Sequence, residues 1–187
     1  ANYALVVVRR DAPSGGSNSI AFGKVDTTNT DPVLAGLGTL TTPTTACGDV
    51  AVSPLHTNHW LVTWCQSSNA LLPFTSVRAQ FVDQVGVSCG PLTQLQSGTT
   101  AVSRPSVAVR SAEDFAVAWE HGTDIRVRTL NFSGSCISGV MTLGATVAPV
   151  SPGLNSEPSI TWAQQKYVLA WRRTSIGAPS ARGGWSR

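Results

Sequence analysis

Short apolar runs return along this chain at a nearly fixed interval. In "DFAVAWEH", from Asp114, the residues Phe115, Val117 and Trp119 form one alternate set, and Ala116 and Ala118 form the other. Both sets are apolar, which predicts a strand covered on both sides. After the turn at His121-Gly-Thr-Asp124 comes "DIRVRTLN", in which Ile125 and Val127 alternate with Arg126 and Arg128. That alternation predicts a strand with one wet face. No stretch sustains a 3.6-residue period, and Gly and Pro interrupt the chain throughout, so the pattern excludes long helices.

The first of these runs has three relatives: "NYALVVVRR", "HWLVTWCQ" and "KYVLAWRR". Aligned on Tyr3, Trp60, Phe115 and Tyr167, they are spaced 57, 55 and 52 residues apart, and Val7, Trp64, Trp119 and Trp171 follow at the same spacings. A second run follows each of the first three at Ser19, Ser76 and Asp124, with "SARGGW" from Ser180 as a faint fourth copy. A third begins at Leu37, Pro91 and Gly139, and another precedes the core run at Asp49, Ser106 and Ser159. Each unit therefore holds four short strands, A to D, and the units run over about 1–47, 48–103, 104–156 and 157–187. A period near fifty marks propellers and arrays. A two-sheet sandwich predicts alternation in most strands, because each sheet has a wet face. Inner strands buried on both faces beside wetter outer ones predict a β-propeller of four-stranded antiparallel blades. Trp64, Trp119 and Trp171 are then core residues between blades. About three to four blades fit this chain, so the expected ring is completed by further blades or by a second chain. An open array would leave strand edges and apolar faces exposed.

The succession "PSVAV … FAVAW … DIRVRTL … GVMTL" resembles the degenerate blade repeat of large secreted bacterial β-propeller proteins. The resemblance rests on structural residues and implies a scaffold for binding or adhesion, with no catalytic residue. The sialidase-type Asp-box and the Gly-His and Trp-Asp dipeptides of WD-type blades are missing.

Composition narrows the class. Charged residues make up 12% and hydrophobic residues 42%, which fits a folded chain better than a disordered one. The net charge of +3 is scattered, with Arg9-Arg10 and Arg172-Arg173 as the only basic doublets. Nucleic-acid binding needs a clustered basic face, so it is not expected. No apolar run reaches membrane-spanning length. The chain opens directly on "ANYALVVV" with no signal peptide, which fits a removed leader or a fragment. Cys47, Cys65, Cys89 and Cys136 form no C-x-x-C pair and lack zinc-type histidine spacing. Together with the low charge, they point to an exported, disulfide-tolerant protein. In an A–B hairpin Cys47 and Cys65 stand nearly opposite, so a Cys47–Cys65 disulfide is expected. Cys89 and Cys136 occupy equivalent C–D turns and either bridge neighbouring blades or stay as thiols.

Candidate chemistry is sparse. His56 and His59 lie three apart but lack further metal ligands. Asp26 to Asp31 spaces oxygens like a calcium loop, without its glycine or distal Glu. No metal and no cofactor is expected. No nucleophile elbow or triad context is present. Asn131-Phe-Ser is a glycosylation sequon. In a propeller the D–A and B–C connections share one face around the central channel. That face is expected to carry Arg104, Glu120, His121, Asp124, Glu157, Arg172 and Arg173, with apolar Leu71, Leu72 and Phe74 in the long loop 66–75. Mixed charge beside apolar side chains suits a binding surface. The expected function is thus a non-enzymatic, extracellular recognition or adhesion module for a glycan or a protein. The competing readings are part of a propeller glycosidase or lyase, with Glu120, Asp124 and Glu157 as the local carboxylates, and a purely structural surface-layer or filament module.

Overall fold

The computed structural model describes residues 3–10, 19–26, 34–40, 46–54, 59–67, 73–83, 87–111, 113–133, 140–147, 153–174 and 181–186. Every element among them is a strand, and the strands form four sheets, each an antiparallel meander of consecutive strands. Sheet 1 holds β1 (Tyr3–Arg10), β2 (Ser19–Asp26) and β3 (Leu34–Thr39). Sheet 2 holds β4 (Ala46–Pro54), β5 (His59–Ser67), β6 (Ser76–Asp83) and β7 (Ser88–Gln96). Sheet 3 holds β8 (Val102–Val109), β9 (Asp114–His121), β10 (Asp124–Ser133) and β11 (Val140–Val147). Sheet 4 holds β12 (Leu154–Ala163), β13 (Lys166–Thr174) and β14 (Ala181–Ser186). Sheets 2 and 3 have the expected four strands, and sheets 1 and 4 have three. No sheet closes on itself among the described residues.

Alternation of side chains places one set of each strand on either face of its sheet. Three apolar clusters follow, and each joins one sheet to the next. Leu5, Val7, Ile20 and Phe22 of sheet 1 meet Cys47, Val62, Trp64 and Val82 of sheet 2. The other face of sheet 2, with Leu61, Cys65, Val77, Ala79 and Phe81, meets Phe115, Val117 and Trp119 of sheet 3. The remaining face of sheet 3, with Ala116, Ala118, Ile125 and Val127, meets Ile160, Leu169 and Trp171 of sheet 4. The four sheets thus form one series, with sheets 2 and 3 covered on both faces. This explains the doubly apolar β5 and β9, whose Leu61 to Cys65 and Phe115 to Trp119 are buried without interruption. Phe81 anchors the middle interface, edge-on to Phe115 at 5.3 Å and tilted against Phe132 at 4.3 Å between ring centroids. Such aromatic pairs add about 0.5–1.5 kcal/mol each beyond area burial.

The three tryptophans occupy equivalent surroundings: each faces the sheet that precedes its own. The series is also fanned. The first strands β4, β8 and β12 adjoin one another more extensively than do the fourth strands β7 and β11.

Two sequence expectations are corrected by register. Val7 pairs with Phe22, whereas Thr63 pairs with Ala79, and Phe22 and Ala79 both point to the following sheet. Val7 therefore corresponds to Thr63, one residue out of phase with the alignment to Trp64. An unbroken Leu-Val-Val-Val run carries no mark of phase, and a one-residue slip exchanges the two faces. The expected Cys47–Cys65 disulfide is absent; both residues are buried thiols. Cys47 pairs with Gln66, and a bulge follows before Val50 pairs with Trp64. Cys47 consequently faces sheet 1 and Cys65 faces sheet 3, so the sheet itself stands between the two sulfurs. Burial, with a smaller contribution from Asp49 and then Glu120, pushes the Cys65 thiol far above its ordinary pKa. Cys89 is disulfide-bonded, and Cys136 lies outside the described residues.

Candidate functional site

Each first strand bends at the same place. The ladder between first and second strands shifts between Cys47 and Val50 in sheet 2, between Ser103 and Ser106 in sheet 3, and between Ser156 and Ser159 in sheet 4. The registers make Asp49, Arg104 and Glu157 equivalent. A bulge turns its extra residue out of the ladder and re-aims it. Arg104 and Glu157 reach this geometry with φ of 47° and 56°. The left-handed region costs a residue with a Cβ roughly 1–2 kcal/mol. Each is followed by a proline, Pro105 or Pro158, which disfavours the right-handed helical alternative for the residue before it. In sheet 2 the bulge contains Gly48, and the ring of Phe74 lies where a Cβ would stand.

The turned-out backbone groups are caught by carboxylates of the preceding sheet. The Arg104 N–H donates to Asp49 Oδ2 at 2.9 Å, and the Glu157 N–H donates to Glu120 Oε1 at 2.7 Å. The Ser103 hydroxyl donates to the other Glu120 oxygen. Side chains extend the row. Arg104 Nη1 lies 3.2 Å from Glu120 Oε1 and 3.5 Å from Glu157 Oε1, and Arg172 Nη1 lies 3.3 Å from the same Glu157 oxygen. The result is a line of five charged residues, Asp49, Arg104, Glu120, Glu157 and Arg172, drawn from three consecutive sheets. Glu120 is 13% exposed, whereas Arg104, Glu157 and Arg172 are exposed by 53%, 49% and 52%. Exposed ion pairs contribute about 0–1 kcal/mol each, so the row adds little to stability for the number of charges it collects. The row interleaves guanidinium donors and carboxylate acceptors along a solvent-facing edge.

Of the seven residues expected on one face, Arg104, Glu120, Glu157 and Arg172 come together here. They stand within strands or at bulges, where the sequence placed Arg104 and Glu157 just before their first strands. His121 and Asp124 instead flank the β9–β10 turn, where Gly122 has φ of 63°. Burial, then the nearby Arg126, holds the His121 imidazole below its ordinary pKa. Arg173 packs beside Gly153, and its Nε is buried without a hydrogen-bond partner. Phe74, expected on the loop face, packs into the core between sheets 2 and 3, while Leu71 and Leu72 lie outside the described residues. His56 also lies outside them, as do residues 27–31 of the calcium-like stretch, and no cluster of metal-ligating side chains occurs among the described residues. Asn131 of the sequon is exposed and donates to Asp114 Oδ1 at 2.8 Å.

Asp49 is the member that sequence reasoning missed. The signal was present: it precedes Arg104 by 55 residues, and Arg104 precedes Glu157 by 53, the interval of the repeat. A second shared device lies beside it. The N–H groups of Val102 and Asn155 donate to Phe74 O at 2.8 Å and Thr123 O at 3.0 Å, each tying a first strand to a loop of the preceding sheet. Asn155 also accepts from Trp171 Nε1 at 3.1 Å; at the equivalent position sheet 3 has Val102, and Trp119 Nε1 is buried without a partner.

No family model, curated protein or solved structure matches this chain.

Proposed function

We propose that this chain is a propeller-type recognition module, non-enzymatic and extracellular, which binds a glycan along the row Asp49, Arg104, Glu120, Glu157 and Arg172. The observation that carries this reading is the convergence of three half-exposed charged side chains, from equivalent bulges and a neighbouring strand, on the edge where consecutive sheets lie closest. Two of them sit on residues held at positive φ, and backbone strain of this kind concentrates at functional positions. Alternating donors and acceptors on a rigid edge match the vicinal hydroxyls of a sugar, each hydroxyl being able to donate and accept. The guanidiniums add a planar fork for any carboxylate or sulfate the glycan carries. The carboxylates are engaged by backbone N–H groups, a serine hydroxyl and arginines, an arrangement suited to fixed hydrogen bonding more than to moving protons. The series of fanned sheets, two of them covered on both faces, supports the propeller reading, and the disulfide-bonded Cys89 supports an oxidising compartment.

A glycan array probed with the purified chain tests this. Retention of a defined glycan class is expected, and the double variant Arg104→Ala/Arg172→Ala is expected to weaken it by more than about tenfold, the effect of about 1.4 kcal/mol of lost binding. His121→Ala, on a separate turn, leaves retention unchanged. An array without any retained glycan overturns the reading, as does retention indifferent to the double variant. Turnover of a retained glycan removes its non-enzymatic part.

A further inference from the structure

We propose that Glu157 sets the ligand class of the charged row: its carboxylate occupies the two guanidiniums and so holds the row to uncharged glycans. This deepens the binding reading above and rests on it. The repeat supplies the setting. Asp49, Arg104 and Glu157 stand at equivalent bulges of sheets 2, 3 and 4, so the charge at this position runs negative, positive, negative along the series. The three carboxylates of the row differ in what they hold. Asp49 accepts from the backbone N–H of Arg104. Glu120, mostly buried, accepts from the backbone N–H of Glu157, from the Ser103 hydroxyl and from Arg104. Both fasten one sheet to the next through backbone. The Glu157 carboxylate fastens no backbone group among the described residues. Its Oε1 meets Nη1 of Arg104 at 3.5 Å and Nη1 of Arg172 at 3.3 Å. The bulge itself does not call for a glutamate, because glycine or asparagine reaches a φ of 56° with less strain.

Two guanidiniums converging on one carboxylate oxygen is the arrangement that an acidic sugar would need. In this chain the protein supplies the carboxylate. An incoming carboxylate or sulfate has to displace Glu157, which stays tethered to the same edge at high effective concentration. It also approaches Glu120 and Asp49, and the five residues of the row carry one more negative than positive formal charge. Like charge brought onto such a row is repelled, and repulsion of this kind discriminates between ligands without any new contact to the accepted one. A sugar hydroxyl meets no such penalty. Each guanidinium has five N–H donors, and the contacts above use Nη1 alone in Arg104 and in Arg172. The remaining donors can serve hydroxyl oxygens while both ion pairs stay in place.

The test pairs each glycan that the array retains with a counterpart in which one hexose is exchanged for the corresponding hexuronate, or the reverse. The wild type is expected to bind the neutral member of a pair the more tightly. Glu157→Gln keeps the size of the side chain and removes its charge. It should raise affinity for the uronate relative to the neutral member by at least about tenfold, or 1.4 kcal/mol. Glu157→Asn, which tolerates the left-handed φ, is the second variant should the first disturb folding, which circular dichroism reports. His121→Ala leaves the ratio unchanged. A wild type that prefers the uronate overturns the proposal, as does a ratio indifferent to both Glu157 variants. In either case retention that depends on Arg104 and Arg172 keeps the binding reading. An array on which neither the wild type nor the Glu157 variants retain a glycan defeats the binding reading and the proposal with it.

Discussion

Sheets 3 and 4 carry nearly the same second strand and live in different surroundings. In β9, Phe115 to Trp119 are all buried; in β13, only Leu169 and Trp171 are buried among alternating exposed residues. Their sequences, "FAVAW" and "YVLAW", do not foretell this. Ala118 and Ala170 are the same residue at the same register, one wholly buried and the other exposed. The difference lies in the neighbour: sheet 3 has a sheet on each face, whereas among the described residues sheet 4 packs on a sheet with a single face. Strand burial in this architecture belongs to the interface, and the strand is competent for either state.

The largest effect expected from breaking this comparison falls at the indoles. Trp119→Ala removes a wholly buried side chain from between two sheets and should cost about 3–5 kcal/mol in urea denaturation. Trp171→Ala should cost less, because Trp171 is 8% exposed and its sheet can settle inward from an open face. Equal losses would show that the two interfaces are equally rigid. A smaller, sharper contrast comes from the paired alanines. Ala118→Leu overfills the space between sheets 3 and 4 and should cost about 1–3 kcal/mol. Ala170→Leu, at an exposed position, should stay within about 0.5 kcal/mol.

The smallest effect is electrostatic and concerns the turn leading from β9. Burial and Arg126 lower the His121 pKa, so the folded state binds its proton less readily than the unfolded state. Stability from this residue is fully present above the unfolded value near 6.5. It is lost as pH falls below that value toward the folded pKa. The difference in thermal midpoint between the wild type and His121→Gln should therefore stay constant near pH 8 and change below about pH 6.5, where the wild type loses more stability with acid than the variant. Parallel curves over that range would remove His121 from the account.

Much of the scaffold was legible because periodicity is a local property. The spacing of Trp64, Trp119 and Trp171 exposed the repeat, and the doubly apolar "FAVAW" announced a strand with two covered faces. Where local marks were weak, the reading slipped. Unit 1 has valines where the others have an aromatic, and its phase was misjudged by one residue. The bulge after Cys47 was invisible, and with it the facing of Cys47 and Cys65 to opposite sides of their sheet. Arg104, Glu120, Glu157 and Arg172, read together from the sequence, stand side by side in the structure, since repeat equivalence carries them to one edge. Asp49 escaped notice because its pairing is with a backbone N–H fifty-five residues on, and nothing in a string of letters records a left-handed φ at Arg104.

An all-strand chain, a period near fifty and the strands able to be buried twice follow from residue order alone, because alternation and turn chemistry act between near neighbours. Which faces meet, which cysteines are kept apart and how charges from three sheets line up on one edge are set by the folded arrangement. Those outcomes depend on bulges and inter-sheet hydrogen bonds whose partners are a full repeat apart, and that distance lies beyond the reach of any local pattern.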